Sequence, residues 1–460
     1  MPPSHNLINN HHVAMPTLDN GRPYRTLTSV FVAWKVFLLA IAAGSQVGST
    51  YDTSSSLLAP DGAPGPGLVT RLASWDAIYF VRSAQRGHLF EQEWAFSSAL
   101  PNCISLIIRG ESLQALGIAS LADAEPLIGV VFSNICHLLS VLVLYQLGSH
   151  IWRDTRWALV AALLHVLSPA GLFLCAPYAE SAFSLLSFSG WLLLAKSCSS
   201  SPTSRDALTI AAGATFGIAT YFRTNGLLNG VPFAFDFLLT LYNLVEDLDP
   251  RKTPAYFWRL VVLGISGVAV AAGSVVPQVL AYQIYCVGGS GSSELRPWCA
   301  GFVPSIYNHV QRQYCPLCLH YENHPRNTGF FRYWTLSNTP LFLLAAPMLF
   351  VMSKSGKDVF FLVSRLPQAG QNSSNFGSQR LQLVVRSMVL AQVLLVILTL
   401  TSYHVQIITR LSSGYPVWYW WVSACLKSPK TRSMGSGLVV FVTMYASIQA
   451  VLFASFLPPA

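Results

Sequence analysis

Charged side chains are scarce in this chain: 10% of its 460 residues are Asp, Glu, Lys or Arg, where a soluble domain carries roughly a quarter. That shortage excludes a water-soluble globular core. A basic stripe is lacking too, since the formal charge of +9 is dispersed in short clusters between apolar runs, which excludes nucleic acid as a partner. No internal repeat is visible, nor a pair of interrupted hydrophobic segments in matching halves, as a transporter built on repeats would have. The nine cysteines are scattered. Between the first two apolar runs there is no D-x-D pair, so no metal is demanded; Glu91-Gln92-Glu93 is a near miss.

What is abundant is apolar: 52% of the residues are hydrophobic, in runs long enough to cross a hydrocarbon layer of roughly 30 Å. The chain reads as an all-α polytopic membrane protein. The expected spans are residues 27–48, 127–150, 157–175, 178–195, 207–222, 227–245, 258–286, 339–352, 383–403, 415–426 and 437–457. Residues 339–352 contain Pro340 and Pro347, and 415–426 is short and aromatic (YPVWYWWVSACL), so either is crossing or re-entrant. Residues 28–48 end in small residues like a signal peptide, but the polar leader before them and the interior Lys35 favour an uncleaved anchor.

Lysine and arginine set the orientation. With residues 1–26 as a cytoplasmic tail, the short basic connections all face the cytoplasm: Arg153 with Arg156, Lys196 with Arg205, Arg251 and Lys252 with Arg259, and Lys427 with Lys430 and Arg432. A cytoplasmic loop over 353–382 joins them. Residues 49–126 and 287–338 are then two long lumenal segments, flanking spans two to seven over 127–286, with the last four spans in 339–460. Asn372 begins an N-S-S sequon, which on this orientation is cytoplasmic and out of reach of glycosylation.

The candidate chemistry gathers on the lumenal side. In SWDAIYFVRSAQRG, Ser74 or Asp76 suits a helix N-cap and Gly87 a helix end. Asp76 is either that cap or a base able to take a proton from an alcohol, with Trp75 and Tyr79 to pack on a sugar ring. Arg82 and Arg86 share a helix face, suited to headgroups or to a phosphate. FEQEWAF repeats the acid-plus-aromatic theme in Glu91, Glu93 and Trp94, with a solvated loop as the plainer account of Glu93. SPAGLFLCAPYAES breaks a hydrophobic run with two prolines and delivers Tyr178 and Glu180 to the lumenal boundary. YFRTNGLLNG brings Arg223 and Asn225 to the next lumenal turn, where Arg223 suits either a lipid phosphate or a pair with Glu180. The span centres are almost uncharged apart from Asp236, which favours a surface site over an ion pathway. Cys315, Cys318, His320 and His324 have metal-like spacing, but in an oxidising lumen a disulfide involving Cys299, Cys315 or Cys318 is the simpler use.

These motifs, with FFRYWTLSNTPLFLLAAP, run in series from about Arg71 to Pro347 and closely resemble the glycosylphosphatidylinositol (GPI) mannosyltransferase 2 family, which adds the second mannose. The resemblance implies a GT-C type glycosyltransferase of the endoplasmic reticulum membrane, with about 11 transmembrane helices and amphipathic helices in the first lumenal loop. It implies dolichyl-phosphate mannose as donor, an α-1,6 bond to the first mannose of the GPI precursor, and a small membrane accessory subunit. The acid after tryptophan, Asp76, is the family's expected catalytic carboxylate. Arg223 is the first candidate for the leaving phosphate, with Arg82 or Arg332 as substitutes, and no metal or other cofactor is required. One departure stands out: CPLCLHYENHPRNT follows Tyr314 where the family passes almost directly to its GF-x-RYW motif. It is either a lineage-specific loop or a gene-model error. The rival classes are a lipid or solute transporter and a non-catalytic subunit of a lumenal glycosylation complex.

Overall fold

Prolines open many of the helices: Pro23, Pro202, Pro232, Pro254 and Pro340 each sit in a first turn, where the missing N–H has no helical partner to lose. The computed structural model describes residues 22–45, 58, 67–110, 114, 124–247, 249–287, 296–313, 329–363, 375–455 and 457. Among these the regular elements are all helical. In chain order they are α1 (Pro23–Gly44), α2 (Leu68–Leu72), α3 (Ala77–Arg86), α4 (Ala99–Ile108), α5 (Ala124–Trp152), α6 (Thr155–Val166), α7 (Glu180–Ser197) and α8 (Pro202–Phe222). There follow α9 (Val231–Glu246), α10 (Thr253–Tyr282), α11 (Ile306–Gln313), α12 (Thr339–Leu362), α13 (Asn375–Thr401), α14 (Ile408–Leu411), α15 (Val417–Lys427) and α16 (Arg432–Ala454).

The all-α polytopic architecture is as expected. Each of the eleven expected spans overlaps a helix, but among the described residues seven helical segments are long and apolar enough to cross a membrane by length and composition. These are Pro23–Gly44, Ala124–Trp152, Thr224–Glu246, Thr253–Val287, Leu336–Leu362, Gln379–Thr401 and Arg432–Ala454. The other four expected spans fall on α6, α7, α8 and α15, which are shorter or richer in serine and threonine. Of the two doubtful segments, the first belongs to α12, which carries Pro347 inside a continuous helix to Leu362. The second is α15, whose 11 residues reach roughly 16 Å at 1.5 Å per residue. That is half a bilayer, and Trp418, Tyr419 and Trp420 on it are all buried. Two of its three indole N–H groups are met inside the protein, Trp418 Nε1 donating to Ser412 O at 2.9 Å and Trp421 Nε1 to Asp358 Oδ2 at 2.9 Å, while that of Trp420 makes no hydrogen bond among the described residues.

Between apolar helices lipid supplies no hydrophobic drive, so close packing through small residues must. A Cβ at Gly213 of α8 would stand 2.6 Å from Ser266 Cα of α10, so this pair of helices depends on glycine at the crossing. Lys35 corrects the expectation that Asp236 is nearly alone at membrane depth. It is buried midway along α1, donating at 3.0 Å to Leu174 O and at 3.0 Å to Cys175 Sγ, with its ammonium over the Phe31 ring.

The helices separate two polar ends. α7 begins at Glu180 and ends at Ser197, while α8 returns from Pro202 to Phe222, just before Arg223. At the far end, Asp154 caps α6 through Trp157 N at 3.0 Å and takes Lys427 at 2.8 Å. The basic connections therefore share one end, and Glu180, Arg223 and Asp76 the other.

Candidate active site

Asp76 occupies the N-cap position of α3, yet its carboxylate makes no cap hydrogen bond. The backbone explains this: Asp76 has φ −58° and ψ −22°, already helical, whereas a capping residue needs extended backbone to fold its side chain back onto the first N–H groups. The turn is made one residue earlier, where Trp75 takes φ +61°, a left-handed conformation costing a non-glycine residue about 1–3 kcal/mol. Tyr178 holds that turn from below, its hydroxyl donating to Ser74 O at 3.0 Å. Gly87, at φ +79°, ends the helix as its sequence indicates.

Freed from capping, Asp76 turns one oxygen to Arg410 Nη1 at 3.4 Å, and its side chain stays 40% exposed. Arg410 is the centre of the cluster. Its Nε and Nη2 reach Glu180 Oε1 at 2.9 and 2.7 Å, and its guanidinium lies 4.0 Å from the Phe173 ring centroid and 5.0 Å from that of Tyr178. Burial alone opposes its charge, but Glu180 and Asp76 outweigh it and hold the guanidinium above its ordinary value. Arg223 Nη1 meets the same Glu180 oxygen at 2.7 Å, so of the two uses open to Arg223 the Glu180 pair is formed. Glu180 Oε2 and Arg223 Nε, both buried, make no hydrogen bond. Two acids and two arginines thus balance, with one acceptor and one donor unspent.

Around this cluster stand groups with polar tips. Asn225 Nδ2 donates to the Tyr415 hydroxyl at 3.3 Å. Tyr79 stacks on Phe96 at 4.7 Å, and burial first, then Asp76, raises its phenol, keeping it a proton donor at neutral pH. His404 packs edge-on to Tyr333, and its imidazole is lowered by burial although Asp76 pulls the other way. It is therefore neutral at pH 7.

Glu91 and Trp94 belong to a neighbouring cluster that ties the two long polar segments together. Glu91 accepts from Trp298 Nε1 at 2.9 Å and pairs with Arg296 at 3.3 Å, and Trp94 packs with Trp298, Ile306 and Val310. Glu93 is internal to its own turn, taking Arg86 at 2.7 Å and the N–H groups of Leu89 and Phe90. Arg82 bonds Gln85 at 3.1 Å, and Arg332 is exposed next to buried Tyr333. A Cys286–Cys299 disulfide closes the same region, so Cys299 is bridged as one of the expected options, to a cysteine outside the expected set. Cys315, Cys318, His320 and His324 lie outside the described residues, as does Asn372.

Arg410 and His404 are the site residues that sequence reading missed. The signal for Arg410 was available, a lone arginine at the end of an apolar run, but nothing local says that it reaches an acid 334 positions away.

The chain matches the model of a family described as mannosyltransferase (PIG-V) over residues 55–460. It is 49% identical to GPI mannosyltransferase 2 of Chaetomium globosum, covering 95% of this chain and 96% of that one. It is 46% identical to GPI mannosyltransferase 2 of Gibberella zeae, covering 97% and 100%. Among solved structures, an archaeal oligosaccharyltransferase of Archaeoglobus fulgidus overlays with a TM-score of 0.45 at 13% identity, covering 95% of this chain and 56% of that one.

Proposed function

The chain belongs to the mannosyltransferase (PIG-V) family and is a GPI-anchor mannosyltransferase, and from that premise we propose that Asp76 is the general base of its transfer reaction. The reaction proposed is transfer of the second mannose, in an α-1,6 bond, from dolichyl-phosphate mannose to the one-mannose GPI precursor. The site faces the lumen of the endoplasmic reticulum, the N-terminus is cytoplasmic, and a small membrane subunit accompanies the enzyme.

The observation that carries the reading is the state of Asp76: an uncapped, part-exposed carboxylate, oriented by a partly buried arginine that is itself held by Glu180. In the proposed step, an Asp76 oxygen takes the proton of the acceptor 6-hydroxyl as that oxygen attacks the anomeric carbon of the donor. The bond from that carbon to the phosphate oxygen breaks, the configuration inverts, and dolichyl phosphate leaves with the electron pair. Before the step Asp76 and Glu180 balance Arg410 and Arg223; once Asp76 is protonated, the cluster holds one excess positive charge while the leaving phosphate becomes more negative. Arg223 is the guanidinium assigned to that phosphate. Trp75 and Tyr79 are assigned to the sugar face, with Asn225 on the hydroxyls and Tyr178 positioning the Asp76 turn. Glu91 and Trp94 hold the second polar segment over the site.

The test is Asp76→Asn, assayed for mannose transfer to the one-mannose lipid in microsomes at matched protein level. Activity should fall by about a hundredfold or more. Full activity at normal expression rejects the base assignment.

A further inference from the structure

A second charged cluster, unused by the transfer reaction, lies at the other end of the helices. α7 starts at Glu180 beside Asp76 and ends at Ser197, so the two clusters are roughly 25 Å apart along its axis at 1.5 Å per residue. There, between α7, α8, α9, α10 and α13, is a cavity of about 60 Å³ lined by Arg205, Arg259, Arg380 and Asp236.

The pairing inside this cluster is incomplete. Asp206 takes Arg205 Nε at 3.0 Å and Arg259 Nη1 at 3.0 Å on one oxygen and Trp258 Nε1 at 3.1 Å on the other. Arg259 Nη2 holds Asp236 at 2.6 Å. Arg380 forms no ion pair among the described residues, so the cluster keeps one positive charge in excess. Arg380 is exposed while it lines the cavity, so its guanidinium is open to an anion from outside, and planar guanidinium groups match phosphate oxygens in bidentate geometry.

The cavity also borders lipid. Phe235 lines it and is 47% exposed, and on the same helix Leu238 is 64% exposed. On α10, Trp258 is 57% exposed next to Arg259. A ligand with phosphate at one end and acyl chain at the other fits both surfaces, whereas a free phosphate uses only one.

We propose that this cavity binds the phosphate group of an anionic phospholipid, with Arg380 as its principal contact and the acyl chains along the Phe235 and Leu238 face. The site is distinct from that of the transfer reaction and does not depend on the role of Asp76.

The full-length enzyme, stripped of lipid in detergent, tests this by thermal unfolding with three probes: dioctanoyl phosphatidylglycerol, dioctanoyl phosphatidylcholine and inorganic phosphate. Phosphatidylglycerol should raise the wild-type Tm, and Arg380→Gln should need about tenfold more of it, the loss expected for one charge-assisted hydrogen bond. Arg380→Lys, which keeps the charge, should fall between. Both variants should unfold like the wild type without lipid, because Arg380 holds no acid of the protein. Equal response of the wild type and both variants overturns the site, as does an equal response to phosphatidylcholine. An equal, Arg380-dependent shift with inorganic phosphate overturns the lipid in favour of the free anion.

Discussion

Arg410 is the residue on which the candidate site turns, because among the described residues it alone pairs with both Asp76 and Glu180. Removing it leaves Glu180 with only Arg223, and removing one partner of a buried ion pair costs about 3–5 kcal/mol. Arg410→Ala should therefore lower protein level and Tm together. Arg410→Lys keeps a charge on Glu180 but cannot span two carboxylates in a fixed plane. It should leave Tm nearer the wild type than Arg410→Ala does, while transfer falls; full transfer by Arg410→Lys would show that Asp76 needs no positioning. Arg223→Lys separates the other pair in the same way. It should hold the protein level through Glu180 and raise KM for the donor by about tenfold, one charge-assisted bond. Unchanged donor KM would assign Arg223 to structure alone.

Among the elements, α3 and α6 show opposite uses of an aspartate at a helix start. Asp154 has extended backbone, caps α6 and is held by Lys427 of α15; Asp76 has helical backbone and is left available. Burial by itself would raise the Asp154 carboxyl, but the bonds to Lys427 and the Trp157 N–H prevail and lower it. A lowered carboxylate contributes stability that is present above its unfolded value and lost as pH falls through its folded one. Asp154→Ala should then cost about 1 kcal/mol of stability near neutral pH, the usual loss for a helix cap. The difference from the wild type should shrink in acid, and a Tm difference that stays constant from neutral to acid pH would count against it. Gly171 marks another element-level constraint. It takes φ +50° in the short turn Gly171–Leu174, and an added Cβ would collide with Gln449 Oε1, which accepts from Leu172 N at 3.0 Å. Gly171→Ala should lower Tm, displacing a helix of the C-terminal end from the segment that leads to Tyr178 and Glu180.

On the scale of the whole molecule, polarity divides by end. Asp76, Glu180, Arg223 and Arg410 gather at one end, and Asp154, Lys427, Arg205 and Arg259 at the other. If the first end faces the lumen, the Cys286–Cys299 bridge lies where disulfides persist. Non-reducing electrophoresis of the microsomal enzyme after thiol blocking should find that pair protected. A reduced pair in untreated microsomes would count against the orientation.

The sequence by itself determined the class of the molecule. Scarce charge and long apolar runs dictate helices in a bilayer, since each backbone N–H and C=O there must be met within its own segment. It also pointed to Asp76, Tyr178, Glu180, Arg223 and Asn225 as candidates, because they sit in short local motifs at the ends of apolar runs, and the structure brings Asp76, Glu180 and Arg223 into one charged cluster. What local pattern cannot carry is the role of Asp76 at the start of α3, which hangs on the positive φ of Trp75. Nor can it show which short apolar helix is wholly interior, as the buried aromatics of α15 are. Above all, only the tertiary structure brought Arg410 to Asp76 and Glu180. An ion pair between distant positions leaves no periodicity in the chain, and helix packing alone decides which charges meet.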